Sequence, residues 1–359
     1  MQTQHSVLKR GGLYWDRETV PPSLYQDHLE RVQAAIAEAG DDAWIMYGDA
    51  QRYGAAAYTS HFLPRARSAL VLVPRSGEPV LLASVGARDI PAAKTLTAIE
   101  DVRPFVRLPR EAIRLLMERG LGQKQVGLVG AFNQLSAAEW EAISSELPEI
   151  HWEHRDAAFD QLRIAKAAEE QAVIRKAAAV VDIGLDTAAG ALKPGATVRQ
   201  ALASVDKAMR YAGAEDLKLL LALGNGSLRP ASDATIASGQ GISLLAAAEV
   251  QRYWAEAART YNGSATLAEQ ALEAMAAAAK PGAAVGSLAD AARAVLSSAT
   301  GWTDTSADVY GFGHGIGLDL EEPPFLAPGS GARLADGAAL ALHVVLPGSI
   351  AGRTVFVGG

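Results

Sequence analysis

Apolar positions recur with helical spacing at Leu24, His28/Leu29, Val32 and Ile36. They follow the helix-starting Pro21-Pro22-Ser23 and precede Gly40, which predicts a helix over residues 23–40. Short apolar runs come next, at Ala43 to Tyr47, Ala69 to Val73, Val80 to Ala83 and Val126 to Val129. Each has strand length, and Pro74-Arg75-Ser76-Gly77 reads as a hairpin turn between the second and third. This alternation of helix and strand predicts a small α/β domain. His151 to Asp160 is polar and reads as a connection. From Gln161 the texture changes to long Ala-rich helices, the first over Ile164 to Leu192. A boundary near residue 157 follows, with residues 1–157 and 158–359 as the two domains.

The second domain contains an echo of itself. Lys193-Pro194-Gly195-Ala196 precedes a helical pattern over Val198 to Tyr211, and Lys280-Pro281-Gly282-Ala283 precedes one over Val285 to Ser297. Lys-Pro-Gly ends a helix, and two copies predict a duplicated unit with pseudo-twofold symmetry. β-rich sequence follows each copy, at Ile242 to Ala247 and Val250 to Ala255, then at Ala338 to Leu346 and Thr354 to Val357. A cleft between the duplicated halves is the expected place for a site.

With 49% hydrophobic and 20% charged residues, the 359-residue chain has the composition of a soluble globular protein, which excludes disorder, collagen and coiled coil. Its 33 Lys and Arg against 40 Asp and Glu leave a net charge of -7. That balance argues against nucleic acid or an anionic membrane as partner and favours a small molecule. No cysteine is present, which removes disulfides, thiolate zinc sites, iron–sulfur clusters and cysteine nucleophiles. Met1 to Tyr14 is polar and lacks the apolar core of a secretory signal, and no apolar run is long enough to span a membrane. A cytoplasmic protein is expected.

The segment richest in chemistry is Gly311-Phe-Gly-His314-Gly-Ile-Gly317-Leu-Asp319-Leu-Glu321-Glu322-Pro323-Pro324. Four glycines around one histidine predict a tight loop that approaches a ligand and leaves the imidazole exposed. Gly224-Asn-Gly-Ser-Leu-Arg229-Pro lacks the Lys-Ser/Thr ending of a phosphate loop and reads as a cleft-lining loop. His151 and His154 flank Trp152 with no ligand pattern, and His5 and His28 read as surface residues.

The histidine segment resembles the Gly-His-Gly-Ile-Gly-Leu motif of the creatinase/prolidase/aminopeptidase P/methionine aminopeptidase family, whose catalytic domain has the pita-bread fold. Leu162-Arg-Ile-Ala-Lys166 with Glu170, Ile174 and Arg175 is similar to the first helix of that domain. Tyr253-Trp-Ala-Glu256-Ala-Ala-Arg259-Thr260 is similar to its Gly-Tyr-x-x-Asp-x-x-Arg-Thr strand, and Tyr58-Thr-Ser-His61-Phe62 to the creatinase-type N-domain. The resemblance implies an α/β (α+β) protein, with a creatinase-like N-terminal domain and a pita-bread C-terminal domain that carries the internal duplication. It implies a homodimer as well.

Peptidases of the family hold two metal ions with Asp, Asp, His, Glu and Glu. Carried over, those positions fall on Leu245, Glu256, His314, His343 and Gly352, so three of the four carboxylates are missing and no metal cofactor is expected. Creatinase-like members work without metal. Their catalytic histidine falls here on Leu228, and their substrate glutamates fall on Ala258 and His343.

Glu256, His314 and His343 remain, as an acid/base group in which Glu256 orients one imidazole and the other moves a proton. The expected activity is metal-independent cleavage or rearrangement of a C–N bond in a small amino-acid-like substrate, bound by Arg259, Arg229, Tyr253, Trp254, Phe62, Arg65 and Arg67. Two alternatives stand beside it: a single divalent ion held by Glu256, His314 and His343, and a non-catalytic cleft that binds or scaffolds.

Overall fold

The structure is a computed structural model and describes residues 14–64, 67–298 and 309–358. It divides into two compact units, Met1–Arg163 and Ile164–Gly359. Among the described residues, no helix is long and apolar enough to cross a membrane.

The first unit is built on a six-stranded sheet of order β4-β3-β2-β1-β5-β6. Its strands are β1 (Ala43–Asp49), β2 (Ser68–Pro74), β3 (Val80–Ala83), β4 (Asp101–Pro104), β5 (Gln125–Val129) and β6 (His151–His154). The four apolar runs seen in the sequence form β1, β2, β3 and β5, which are almost wholly buried, as strands covered on both faces must be. Helix Pro22–Glu38 buries Leu24, His28, Leu29, Val32 and Ile36 on one face. His28 therefore belongs to the core and not the surface: its Nδ1 lies 2.7 Å from the Tyr58 carbonyl oxygen, and the two rings stack with centroids 3.9 Å apart. His5 lies outside the described residues. The polar run from His151 is not a simple connection either. It forms edge strand β6 and helix Asp156–Ile164, and the mostly exposed edge position removes the apolar signal that a strand normally carries.

In the second unit the first long helix starts later than its composition predicts. Ala165 bridges Ala338, and the Lys166 N–H donates to the Gly337 carbonyl at 3.1 Å, which holds the chain extended before helix Ala168–Ala191 begins. The Glu170 carboxylate then accepts the Ala167 N–H at 2.8 Å and starts the helix. A seven-stranded sheet of order β11-β10-β12-β13-β9-β8-β7 lies at the centre of this unit. Its strands are β7 (Asp216–Leu223), β8 (Ile242–Val250), β9 (Tyr253–Tyr261), β10 (Gly313–Gly315), β11 (Glu322–Phe325), β12 (Ala339–Leu346) and β13 (Ser349–Phe356).

The echo in the sequence returns as an echo in hydrogen bonding. Gly195 N–H donates to Ile236 O at 2.9 Å and Gly282 N–H to Leu334 O at 2.8 Å. Val198 N–H donates to Ala234 O at 3.0 Å and Val285 N–H to Ala332 O at 2.7 Å. Each copy thus supplies a Lys-Pro-Gly turn, a helix (Val198–Tyr211 or Val285–Leu296) and a hairpin (β8–β9 or β12–β13). The copies meet where β9 pairs β13 at Ala258 and Gly352.

Candidate active site

Register decides which side chains share a face of the seven-stranded sheet. Lys218 pairs Ala247, Ala247 pairs Glu256, and His314 pairs Ala341, which pairs Thr354. The Thr354 hydroxyl closes that row, accepting the Glu256 N–H and donating to the Glu256 carbonyl, both at 2.9 Å. The adjacent row runs Leu220, Leu245, Ala258, Gly352 and His343. Because side chains alternate along a strand and cross-strand neighbours point the same way, Lys218, Glu256, His314 and His343 project from one face. Glu256 and His343 come from different copies of the duplication.

His343 lies with Nδ1 3.1 Å from Glu256 Oε1 and Nε2 3.0 Å from the Tyr310 carbonyl oxygen. Both partners are acceptors, so both ring nitrogens must donate, and the ring is an imidazolium. Burial works against that charge, but the hydrogen bond and negative charge of Glu256 outweigh it and hold the pKa above the ordinary histidine value. Glu256 is the converse case: burial would raise its carboxyl, yet the His343 hydrogen bond and charge, with smaller help from His314 and Lys218, hold it below the usual carboxylate range. Among the described residues its Oε2 is buried without a hydrogen-bond partner, and the Lys218 ammonium lies 3.8 Å from it. Lys218 also lies 3.5 Å from Glu321 Oε1.

His314 is not exposed in a loop as its glycines predict. It is 6% exposed and sits in β10 between β11 and β12. The flanking glycines serve strand packing: a Cβ on Gly313 would meet the Ala341 oxygen at 2.1 Å, and one on Gly315 the Pro323 oxygen at 2.3 Å. His314 Nδ1 lies 2.9 Å from the Gly315 carbonyl oxygen, which makes Nδ1 the donor in that contact. The two imidazoles lie 5.9 Å apart between centroids.

One set of three or more potential metal-ligating side chains exists among the described residues, Glu256, His314 and His343, with donor atoms within 4.8 Å of one another. The other two positions that the resemblance assigns to ligands carry no donor. Leu245 packs with Ala258 and Ile350 in a small apolar cluster, and a Cβ on Gly352 would lie 3.0 Å from the Leu342 oxygen. Among the described residues Glu256 is the one carboxylate of this set, which therefore offers no pair of carboxylates to bridge two ions.

The expected substrate contacts divide by strand alternation. Trp254 is on the Glu256 face of β9, whereas Tyr253 and Arg259 face helix Ala168–Ala191, the first donating to Glu170 Oε1 at 3.2 Å and the second to Asp186 Oδ1 at 2.7 Å. Neither reaches the cluster. Arg229 is exposed, and its backbone pairs with Leu221. Its neighbours Asn225 to Leu228 line a cavity of about 110 Å³ together with Ser243 and Tyr310, so that loop does border the site. In the first unit, Phe62 is a fully buried core residue that offers no surface to a substrate, and Arg67 is exposed and donates to the Val106 carbonyl at 3.1 Å. Arg65 lies outside the described residues. Lys218 and Tyr310 were missed by sequence reasoning; the only signal for Lys218 is a lone cation inside the apolar strand Leu217 to Leu223.

Residues 172–355 match the model of metallopeptidase family M24. The chain shares its fold with a prolidase from Pyrococcus horikoshii OT3, 22% identical over 92% of this chain and 95% of that one, with a TM-score of 0.76. An X-Pro aminopeptidase from Thermotoga maritima MSB8 is similar at 21% identity over 92% and 94%, with a TM-score of 0.77. The N-terminal domain of FACT complex subunit SPT16 from Cicer arietinum is similar at 14% identity over 94% of each chain, with a TM-score of 0.69. No curated protein sequence matches.

Proposed function

Because the chain belongs to metallopeptidase family M24, we propose that it hydrolyses a C–N bond in a small amino-acid-like substrate, using its own histidines in place of the two metal ions of the family's peptidases. One observation carries the reading: His343 is hydrogen-bonded through both nitrogens, to the Glu256 carboxylate and to the Tyr310 carbonyl, which readies the ring to donate a proton.

In this reading His314 Nε2 takes a proton from water as the water oxygen attacks the carbon of the C–N bond. His343 delivers its Nε2 proton, held in the resting site by the Tyr310 carbonyl, to the departing nitrogen. The Glu256 carboxylate orients His343 and steadies its charge. Trp254 and the Asn225 to Leu228 loop border the substrate. The protein acts as a cytoplasmic homodimer, with neither nucleic acid nor membrane as partner. A second reading, a single divalent ion on Glu256, His314 and His343, is favoured by the closeness of those three donors.

Turnover of a panel of dipeptides, N-acyl amino acids and guanidino acids by chelator-treated protein separates the two. The expected result is hydrolysis that survives chelation and falls by about a hundredfold or more in His314→Gln and in His343→Asn. Activity lost on chelation and restored by zinc or manganese establishes the single-ion reading instead. Turnover unchanged in both variants removes the histidines from the chemistry.

A further inference from the structure

We propose that the Lys218 ammonium is the resident cation of this site, and that its charge keeps divalent ions off Glu256, His314 and His343. The inference rests on the metal-independent reading above and supplies its physical cause.

Lys218 and Glu256 lie two strands apart in one row of the sheet, with Ala247 between them. Strands stand about 4.8 Å apart, so these two backbones are separated by roughly 10 Å, a gap that only two long side chains can close. Ala247 is fully buried and ends at its methyl group, which leaves the lysine stem room to cross it. The ammonium arrives 3.8 Å from Glu256 Oε2, the carboxylate oxygen that is buried and has no hydrogen-bond partner among the described residues. On its other side it lies 3.5 Å from Glu321 Oε1.

The charges of the cluster then cancel, Glu256 and Glu321 against His343 and Lys218. A divalent ion entering the three-donor set would stand beside the Lys218 ammonium and the His343 ring, both of which repel it when charged. Glu256 and His343 are 3% and 7% exposed, whereas the Lys218 side chain is 30% exposed, so water screens part of that repulsion. Removing the lysine charge leaves the cluster net negative, and a divalent ion that displaces the His343 proton then has one buried carboxylate and two imidazoles as ligands. That is the composition of a site for zinc or cobalt.

The test is metal binding by Lys218→Met, which keeps the length of the side chain and removes its charge. Equilibrium dialysis against zinc counts bound ions, and cobalt substitution reports ligand geometry through visible absorption. Wild type is expected to bind no stoichiometric ion. Lys218→Met is expected to bind one, at least about tenfold more tightly than wild type, and to lose it when His314→Ala is added. Lys218→Arg, which restores a cation, is expected to behave as wild type.

If wild type and Lys218→Met both bind no ion, Lys218 is not what excludes metal, while the metal-independent reading stands. If wild type itself binds one equivalent, both fall. Circular dichroism of each variant checks folding, and Lys218→Gln serves as the second neutral variant should Lys218→Met fail to fold.

Discussion

At the scale of single residues, the Glu256–His343 pair makes stability depend on pH in a form that identifies it. His343 has its pKa raised above its ordinary value of 6.5, so its contribution is fully present below 6.5 and is lost as pH rises through the raised folded-state value. Glu256 has its pKa lowered from 4.5, so its contribution is present above 4.5 and is lost as pH falls through the depressed value. The pair is therefore worth most between 4.5 and 6.5 and fades on both sides. Thermal unfolding of wild type and of the Glu256→Gln/His343→Asn double variant across this range is expected to show the largest difference in Tm on that plateau, shrinking in mild base and in strong acid. A difference that does not change with pH means the two groups are not an ion pair. His314, His343 and Glu256 were legible because they stand at motif positions. Lys218 was not, since its partner lies 38 positions away and only strand register joins them. The glycines around His314 were legible as glycines, but sequence cannot tell a backbone pressed against a ligand from one pressed against β11 and β12.

At the scale of elements, apolar runs announced β1, β2, β3 and β5, whereas β6 and the turn between β8 and β9 carry signals that composition does not reveal. That turn is Gln251-Arg252, with both residues at positive φ (48° and 75°), the geometry of a type I′ hairpin without its usual Asn-Gly. The buried Arg252 guanidinium is fixed 2.6 Å from Glu215 Oε2, a contact between elements that stands in for local preference. Gly352 has the opposite role, since it allows β13 to close on β9 and β12. A Cβ there would come within 3.1 Å of His343 Cβ and 3.2 Å of Ala258 Cβ, besides the Leu342 oxygen at 3.0 Å. Gly352→Ala is accordingly expected to cost about 1–3 kcal/mol, read as a lower urea midpoint at unchanged m-value. An unchanged midpoint means the strands part easily, and a carboxylate could then be rebuilt at 352.

At the scale of the whole molecule, the duplication was visible as a repeated Lys-Pro-Gly, and the fold family followed from motifs spread along the chain. Function did not follow in the same way, because the fold is shared by prolidases and by a domain of a FACT complex subunit, and only the site can choose among chemistries. A further buried ion pair that composition could not foresee joins elements around the site. Lys166 precedes the first long helix, Glu322 opens β11 in the second copy, and Lys166 Nζ lies 2.5 Å from Glu322 Oε1 with both side chains almost fully buried. Gly317 makes room for them, since a Cβ there would come within 2.8 Å of Lys166 Cε. The pair thus binds the entrance of the first copy to the strand that flanks His314. Stranding one charge of a buried pair costs about 3–5 kcal/mol, whereas replacing both with apolar groups is often close to neutral. Lys166→Met and Glu322→Leu alone are each expected to lose most of that amount in urea unfolding, and the double variant to recover much of it. If the double variant loses the sum of the two, the charges are not coupled and this pair does not join the two copies.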